Sequence, residues 1–228
     1  RGGGSRCRNM DALAGGAVKK AVMELGGSDP FIVLADAALN DCCVAAETAR
    51  MRVCGQACIA AKRCIVEAPL VEAFAARLSE RLAAHVPGDP CDPAVTVGPL
   101  AREDLLNNLD RQVRESVALG ARVVCGGKRL PGPGFFYAPT LLADVRPGMP
   151  AFDEELFGPV AAVVAAADAA DAVALANASA YGLGASVWTA DTARGLELAR
   201  RIEAGMVAVN AVPRSDFRLP FGGVKRSG

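Results

Sequence analysis

PFIVLADAALNDCCVAAETARMRV, residues 30–53, changes its apolar spacing part way along, and that change decides the fold. Four consecutive apolar residues at 31–34 predict a buried strand, while 38–53 carries the spacing of a helix. The alternation recurs downstream. A strand is expected around 64–66, an amphipathic helix over 70–84, a helix from about 102 to 119 and a strand at 122–125 closed by two glycines. Then come a loop at PGPG, a strand at 160–165, a helix at 168–177, a strand at 185–188, a helix at 192–203 and a strand at 206–209. Upstream, 21–25 reads as a strand end closed by Gly26 and Gly27, and the tail PFGGVKRSG reads as a glycine-rich turn. Strands alternating with helices predict an α/β architecture with a largely parallel sheet flanked by helices.

The 228 residues, 52% of them hydrophobic, suffice to bury a sizeable core as one large domain or two small ones. Twenty-five basic and twenty-five acidic side chains cancel and are interspersed, so neither nucleic acid nor an anionic membrane is an expected partner. The most apolar window, 159–167, is too short to span a bilayer and is closed by Asp168 and Asp171. The chain opens on arginine, without the apolar run and cleavage site of a secretory signal, so an upstream start is expected. Eight irregularly spaced cysteines predict reduced thiols in a cytoplasmic setting rather than a disulfide framework. With no Cys-x-x-Cys pair and a single histidine, His85, near a helix end, no metal is expected.

Three short stretches carry candidate chemistry. In GQACIAAKR, 55–63, Cys58 follows a helix and a Gly-Gln turn, and Lys62 and Arg63 lie near enough in sequence to favour a thiolate. The plainer reading is an inert small hydrophobe, which is how Cys54 is read. In VMELGG, 22–27, Glu24 ends an apolar run before two glycines that admit backbone or ligand; a desolvated carboxylate there has a raised pKa and serves as a base. An exposed strand-end glutamate is the alternative. In EELFGPV, 154–160, a carboxylate and a ring precede a Gly-Pro turn, suited to hydroxyl groups and a planar ligand, or equally to a solvated acidic turn over a core phenylalanine.

Taken together and in order, VMELGGSDPFIVLADAAL, GQACIAAKR, GDPCDPAVTVGPL, YAPTLL, DEELFGPV, YGLGASVW and LPFGGVKRSG resemble the NAD(P)-dependent aldehyde dehydrogenase superfamily over about 14–228. Within it, ELGGSDPFIVLADA and RLPFGGVKRSG look most like the bacterial succinate-semialdehyde dehydrogenases. The resemblance implies roles. Cys58 matches the nucleophile, and Glu24 the base that activates water against the thioester. Glu155 and Phe157 match the positions that hold the nicotinamide ribose and pack near its ring, so NAD or NADP is the implied cofactor. Arg52, six residues before Cys58, falls where a substrate carboxylate is bound, with Ser215 assisting and Arg218 as a further candidate. The backbone amide of Cys58 is the implied oxyanion donor.

Departures from the family pattern are equally specific. Val53 stands where the family carries asparagine, five residues before the nucleophile. The glycine-rich helix start that meets the cofactor pyrophosphate is not recognisable in RGGGSRCRNMDAL. The resemblance therefore divides the chain into 1–25, the last part of a cofactor-binding domain, and 26–228, the catalytic domain, with most of the Rossmann-type domain and the final oligomerisation strand outside it. It implies oxidation of a small aldehyde, succinate semialdehyde or a relative, by a full-length homo-oligomer. A non-catalytic remnant serving as an oligomerisation or binding module is the alternative.

Overall fold

The computed structural model describes residues 3–228. In chain order its elements are α1 (Gly3–Gly16), β1 (Pro30–Val33), α2 (Leu39–Met51), β2 (Arg63–Glu67), α3 (Val71–Ala83) and α4 (Glu103–Ala118). They continue with β3 (Arg122–Cys125), β4 (Thr140–Ala143), α5 (Pro150–Asp153), β5 (Val160–Ala166), α6 (Ala169–Asn177) and β6 (Tyr181–Gly182). The last four are β7 (Gly184–Trp188), α7 (Thr192–Ala199), β8 (Met206–Val209) and β9 (Val224–Lys225).

Seven strands form one sheet in the order β3-β4-β5-β2-β1-β7-β8, parallel throughout except for the antiparallel β3/β4 pair at one edge. The α/β fold read from the sequence is the observed one. β1 and β2 are buried along their whole length, as strands covered on both faces must be. Successive side chains of β2 point to opposite faces. Arg63 reaches the carbonyls of Leu175 and Ala176 in α6, while Cys64 lies near Cys43 of α2, so the helices flank the sheet on both sides. The amphipathic spacing of α3 buries Phe74, Leu78 and Leu82; that of α4 buries Leu106, Leu109 and Val113. Asp168 caps α6 by accepting from the amides of Ala170 and Asp171, and Asp191 caps α7 by accepting from that of Arg194.

Four expectations are corrected. Residues 21–25 form no strand, because a strand exists by its ladder and, among the described residues, the Leu25 amide alone finds a backbone partner, the Ser227 carbonyl. The helix expected over 192–203 stops at Ala199: Asn177 donates to the Arg201 carbonyl and accepts from the Glu203 amide, drawing the chain out of the helix. The glycine-rich N-terminal stretch is helical as α1, although glycine is a poor helix former and the helix has little apolar face; Arg1 and Gly2 lie outside the described residues. The tail is not only a turn, since β9 pairs antiparallel with β6. Strand β4 escapes a pattern reading because four residues, TLLA, carry too short a period. Among the described residues, no helix is long and apolar enough to cross a membrane.

Candidate functional site

Cys58 sits in the crossover between α2 and β2. Past Met51 the backbone turns through a short 3-10 segment, Arg52–Gly55, in which Val53 (φ 51°, ψ 38°) and Cys54 (φ 56°, ψ 33°) both adopt left-handed conformations. A β-branched residue is strained there, whereas asparagine tolerates that region well. The position at which this chain departs from the family pattern is thus one whose backbone favours the family's residue.

Two buried cations hold the loop that follows. Arg50, at the end of α2, donates to the carbonyls of Gly55 and Ala61, one on either side of the cysteine. Lys62, 0% exposed, donates from Nζ to the carbonyls of Ala57 (3.3 Å), Cys58 (2.8 Å) and Ala60 (3.0 Å). Burial pulls the Lys62 pKa below the ordinary lysine range, and Arg50 adds to that effect, while Asp29 and Glu155 oppose it. Asp29, buried beside them, accepts from the Gly184 amide at 3.1 Å, and burial raises its pKa against the opposing charge of Lys62.

Of the two cations expected to favour a thiolate, Lys62 does so only weakly and Arg63 not at all. Arg63 points into the core, where it donates to the carbonyls of Ser28, Leu175 and Ala176 and lies 5.0 Å over the Phe152 ring. The Cys58 pKa is raised, first by burial, then by the charge of Glu24 and a hydrogen bond to it; the Ile59 amide and Lys62 act in the other direction more weakly.

Glu24 is brought to Cys58 from 34 residues away, the thiol donating to Oε1 at 3.5 Å. Its carboxylate is exposed in this chain, so the desolvation expected of it is absent among the described residues. The two glycines after it have a steric reason. A Cβ on Gly26 would run into the Glu155 carboxylate, and one on Gly27 would stand 2.7 Å from the Cys58 carbonyl, so only glycine threads between them. The tail motif closes the same place: Ser227 Oγ donates to the Gly26 carbonyl at 2.7 Å and accepts from the Gly182 amide at 3.0 Å.

Glu155, with a side chain 22% exposed, accepts from the Gly27 amide at 3.0 Å and lies 3.9 Å from Lys62 Nζ. Its loop is fixed from α4, where Gln112 Nε2 donates to Glu154 Oε2 (2.9 Å) and to the Glu155 carbonyl (3.1 Å). Phe157 is half-buried two residues on. A carboxylate that accepts hydroxyl donors, next to an aromatic ring and one glycine away from the cysteine loop, suits a ribose and its planar base.

The remaining sequence candidates stand apart. Arg52 is exposed at the C-terminal end of α2, and Ser215 is exposed in the loop after β8. Arg218 forks onto Asp216, Nε to Oδ1 at 2.9 Å and Nη2 to Oδ2 at 2.7 Å. Among the described residues no hydrogen bond or ion pair joins these three to Cys58 or to one another. Sequence reasoning missed Asp29 and Arg50, and it missed the loop carbonyls that Lys62 holds. The available signal was two cations at the mouth of the buried strand 64–66, which have to find partners inside. Among the described residues, no cluster of His, Cys, Asp or Glu side chains is arranged to hold a metal ion.

The model of the aldehyde dehydrogenase family matches residues 2–228. The chain is 51% identical over 216 residues to the NADP(+) succinate-semialdehyde dehydrogenase of Deinococcus radiodurans, covering 95% of this chain and 45% of that one. It is 49% identical over 219 residues to the NAD(P)+ succinate semialdehyde dehydrogenase Sad of Escherichia coli, covering 96% and 47%. A solved structure of Gox0499 superposes with a TM-score of 0.95 at 42% identity, over 99% of this chain and 49% of that one. The chain spans about half the length of the curated relatives it matches, 45% and 47% of these two.

Proposed function

Because this chain belongs to the aldehyde dehydrogenase family, we propose that it is the nucleophile-bearing part of a succinate-semialdehyde dehydrogenase, which oxidises a small aldehyde to the carboxylate with NAD or NADP. In this reading residues 1–25 close a cofactor-binding domain and 26–228 form the catalytic domain of a cytoplasmic homo-oligomer. The observation that carries it is the 3.5 Å approach of the Cys58 thiol to the Glu24 carboxylate, two groups far apart in sequence.

Glu24 is the acceptor for the thiol proton, and Cys58 Sγ then forms a bond to the aldehyde carbon. The negative charge that develops on the carbonyl oxygen takes a hydrogen bond from the Cys58 amide, a type of contact whose loss costs roughly a hundredfold or more in turnover. NAD or NADP, when bound against Glu155 and Phe157, supplies the hydride acceptor, and the acyl group is left as a thioester on Cys58. Glu24 then releases the thiol proton to solvent and takes one from water, the water oxygen bonds to the acyl carbon, and the C–S bond breaks with Glu24 returning that proton to the sulfur. Arg52 and Ser215 bind the distal carboxylate, an arginine fork matching that group in shape and charge; Arg218 does so only once its Asp216 partner is displaced.

Thiohemiacetal formation needs the thiol alone, so competition with iodoacetamide tests the reading. Succinate semialdehyde should protect Cys58, while Cys91, exposed on the surface, reacts at an unchanged rate. Protection should exceed that given by butanal, and Arg52→Leu should abolish the difference. Equal alkylation of Cys58 with and without the aldehyde would sink the assignment, and an unchanged preference in Arg52→Leu would sink the substrate class.

A further inference from the structure

We propose that Lys62 is the positioning residue of the Cys58 turn: its buried ammonium fixes the two peptide planes on either side of the cysteine, so that the Cys58 amide faces outward and the Ile59 amide faces the thiol.

The argument is one of peptide geometry. In a planar trans peptide the carbonyl and the amide N–H point in opposite directions. The Ala57 carbonyl shares its plane with the Cys58 amide, and Lys62 Nζ holds that carbonyl at 3.3 Å, so the Cys58 N–H is directed away from the ammonium. The Cys58 carbonyl shares its plane with the Ile59 amide and is held at 2.8 Å, which turns the Ile59 N–H away from Lys62 in turn. That amide is the group whose hydrogen bond opposes the rise in the thiol pKa. A third bond, to the Ala60 carbonyl at 3.0 Å, stops the loop from rotating about the first two. One side chain thereby sets both donors adjacent to the sulfur without touching a reactant.

Lys62 can serve in this way because it cannot leave. It is 0% exposed, three of its donor directions end on loop carbonyls, and Asp29, Arg50, Glu155 and Cys58 are the charged or titratable groups that face it. The thiol is faced by Glu24 and Lys62. The lysine sits four residues after the nucleophile, so it closes the loop on itself rather than clamping it from another element. The proposal takes from the functional reading only that the Cys58 amide meets the reacting oxygen.

The test uses the 228-residue chain, with Lys62→Met alone and with Asp29→Asn/Lys62→Met, which leaves no unpaired buried carboxylate. Cys58 alkylation by iodoacetamide is followed across pH by peptide mass spectrometry, with Cys91 in the same sample as reference. The Cys58 profile should move to higher pH, its rate at a fixed pH below the midpoint falling about tenfold relative to Cys91. Loss of the Lys62 charge alone would also raise the profile but leave the Ile59 amide titrating in step with Cys58 in folded Lys62→Met. Loss of positioning flattens that signal, so an Ile59 titration retained in the variant overturns the proposal. An unmoved profile in either folded variant overturns the proposal. Independently of any variant, the Ile59 amide resonance of the unaltered chain must titrate in step with Cys58 alkylation, and a flat Ile59 signal likewise overturns it. Failure of aldehyde protection with these results intact would remove the functional reading and leave the positioning role.

Discussion

The two sides of the Cys58–Glu24 pair are held very differently. On the cysteine side, buried cations engage five carbonyls of the loop 55–61, and the loop is clamped between α2 and β2. On the glutamate side, the one hydrogen bond that reaches residues 20–24 among the described residues comes from Cys58 itself. The chain is secured again only at Leu25 and Gly26, through Ser227. The contrast teaches where precision is built. In the proposed reading a nucleophile must meet its substrate in one geometry, so its backbone is fixed from within, while the proposed base tolerates a looser tether.

The comparison can be broken at its strongest point first. Arg63→Met strips donors from the Ser28, Leu175 and Ala176 carbonyls and should cost about 4 kcal/mol in urea unfolding. A loss below about 1 kcal/mol would show that the sheet centre does not depend on its buried guanidinium. Val53→Asn sharpens the contrast from within the cysteine side. It relieves a left-handed β-branched residue that is 66% exposed and has little packing to lose, so stability should rise by about 1 kcal/mol. A fall in the unfolding midpoint would mean that the strain is not there.

The smallest expected change in stability lies on the loose side. Glu24→Gln should leave the unfolding free energy within about 0.5 kcal/mol, because the carboxylate is exposed. Its effect on the thiol has a definite sign. After burial, the Glu24 charge and hydrogen bond are what raise the Cys58 pKa, so removing the charge lowers that pKa and enlarges the thiolate fraction at any pH below it. Cys58 alkylation should therefore shift to lower pH in Glu24→Gln, and a shift to higher pH would contradict the placement of the two groups.

Much of the scaffold was legible in the chain. The change from a continuous apolar run at 31–34 to helical spacing after 38 gave β1 and α2, and the apolar stripes of 71–83 and 103–118 gave α3 and α4. Where period failed, length or partnership was the reason: β4 is too short to show one, and 21–25 has the composition of a strand without a ladder. The site was legible only through its motifs. VMELGG and GQACIAAKR supply an acid and a thiol, yet nothing in their spacing brings them to 3.5 Å.

The sequence by itself determined the alternation of strands and helices, the parallel sheet it implies and the candidate reactive groups, because periodicity and residue chemistry are local properties. The tertiary structure alone decided where charges point. Lys62 and Arg63 stand next to each other and next to the cysteine loop, but Lys62, just before β2, turns back to the loop carbonyls, while Arg63, the first residue of β2, reaches α6. A cation's effect on a thiol depends on distance and direction through a buried medium, and neither is written in the order of residues along a chain.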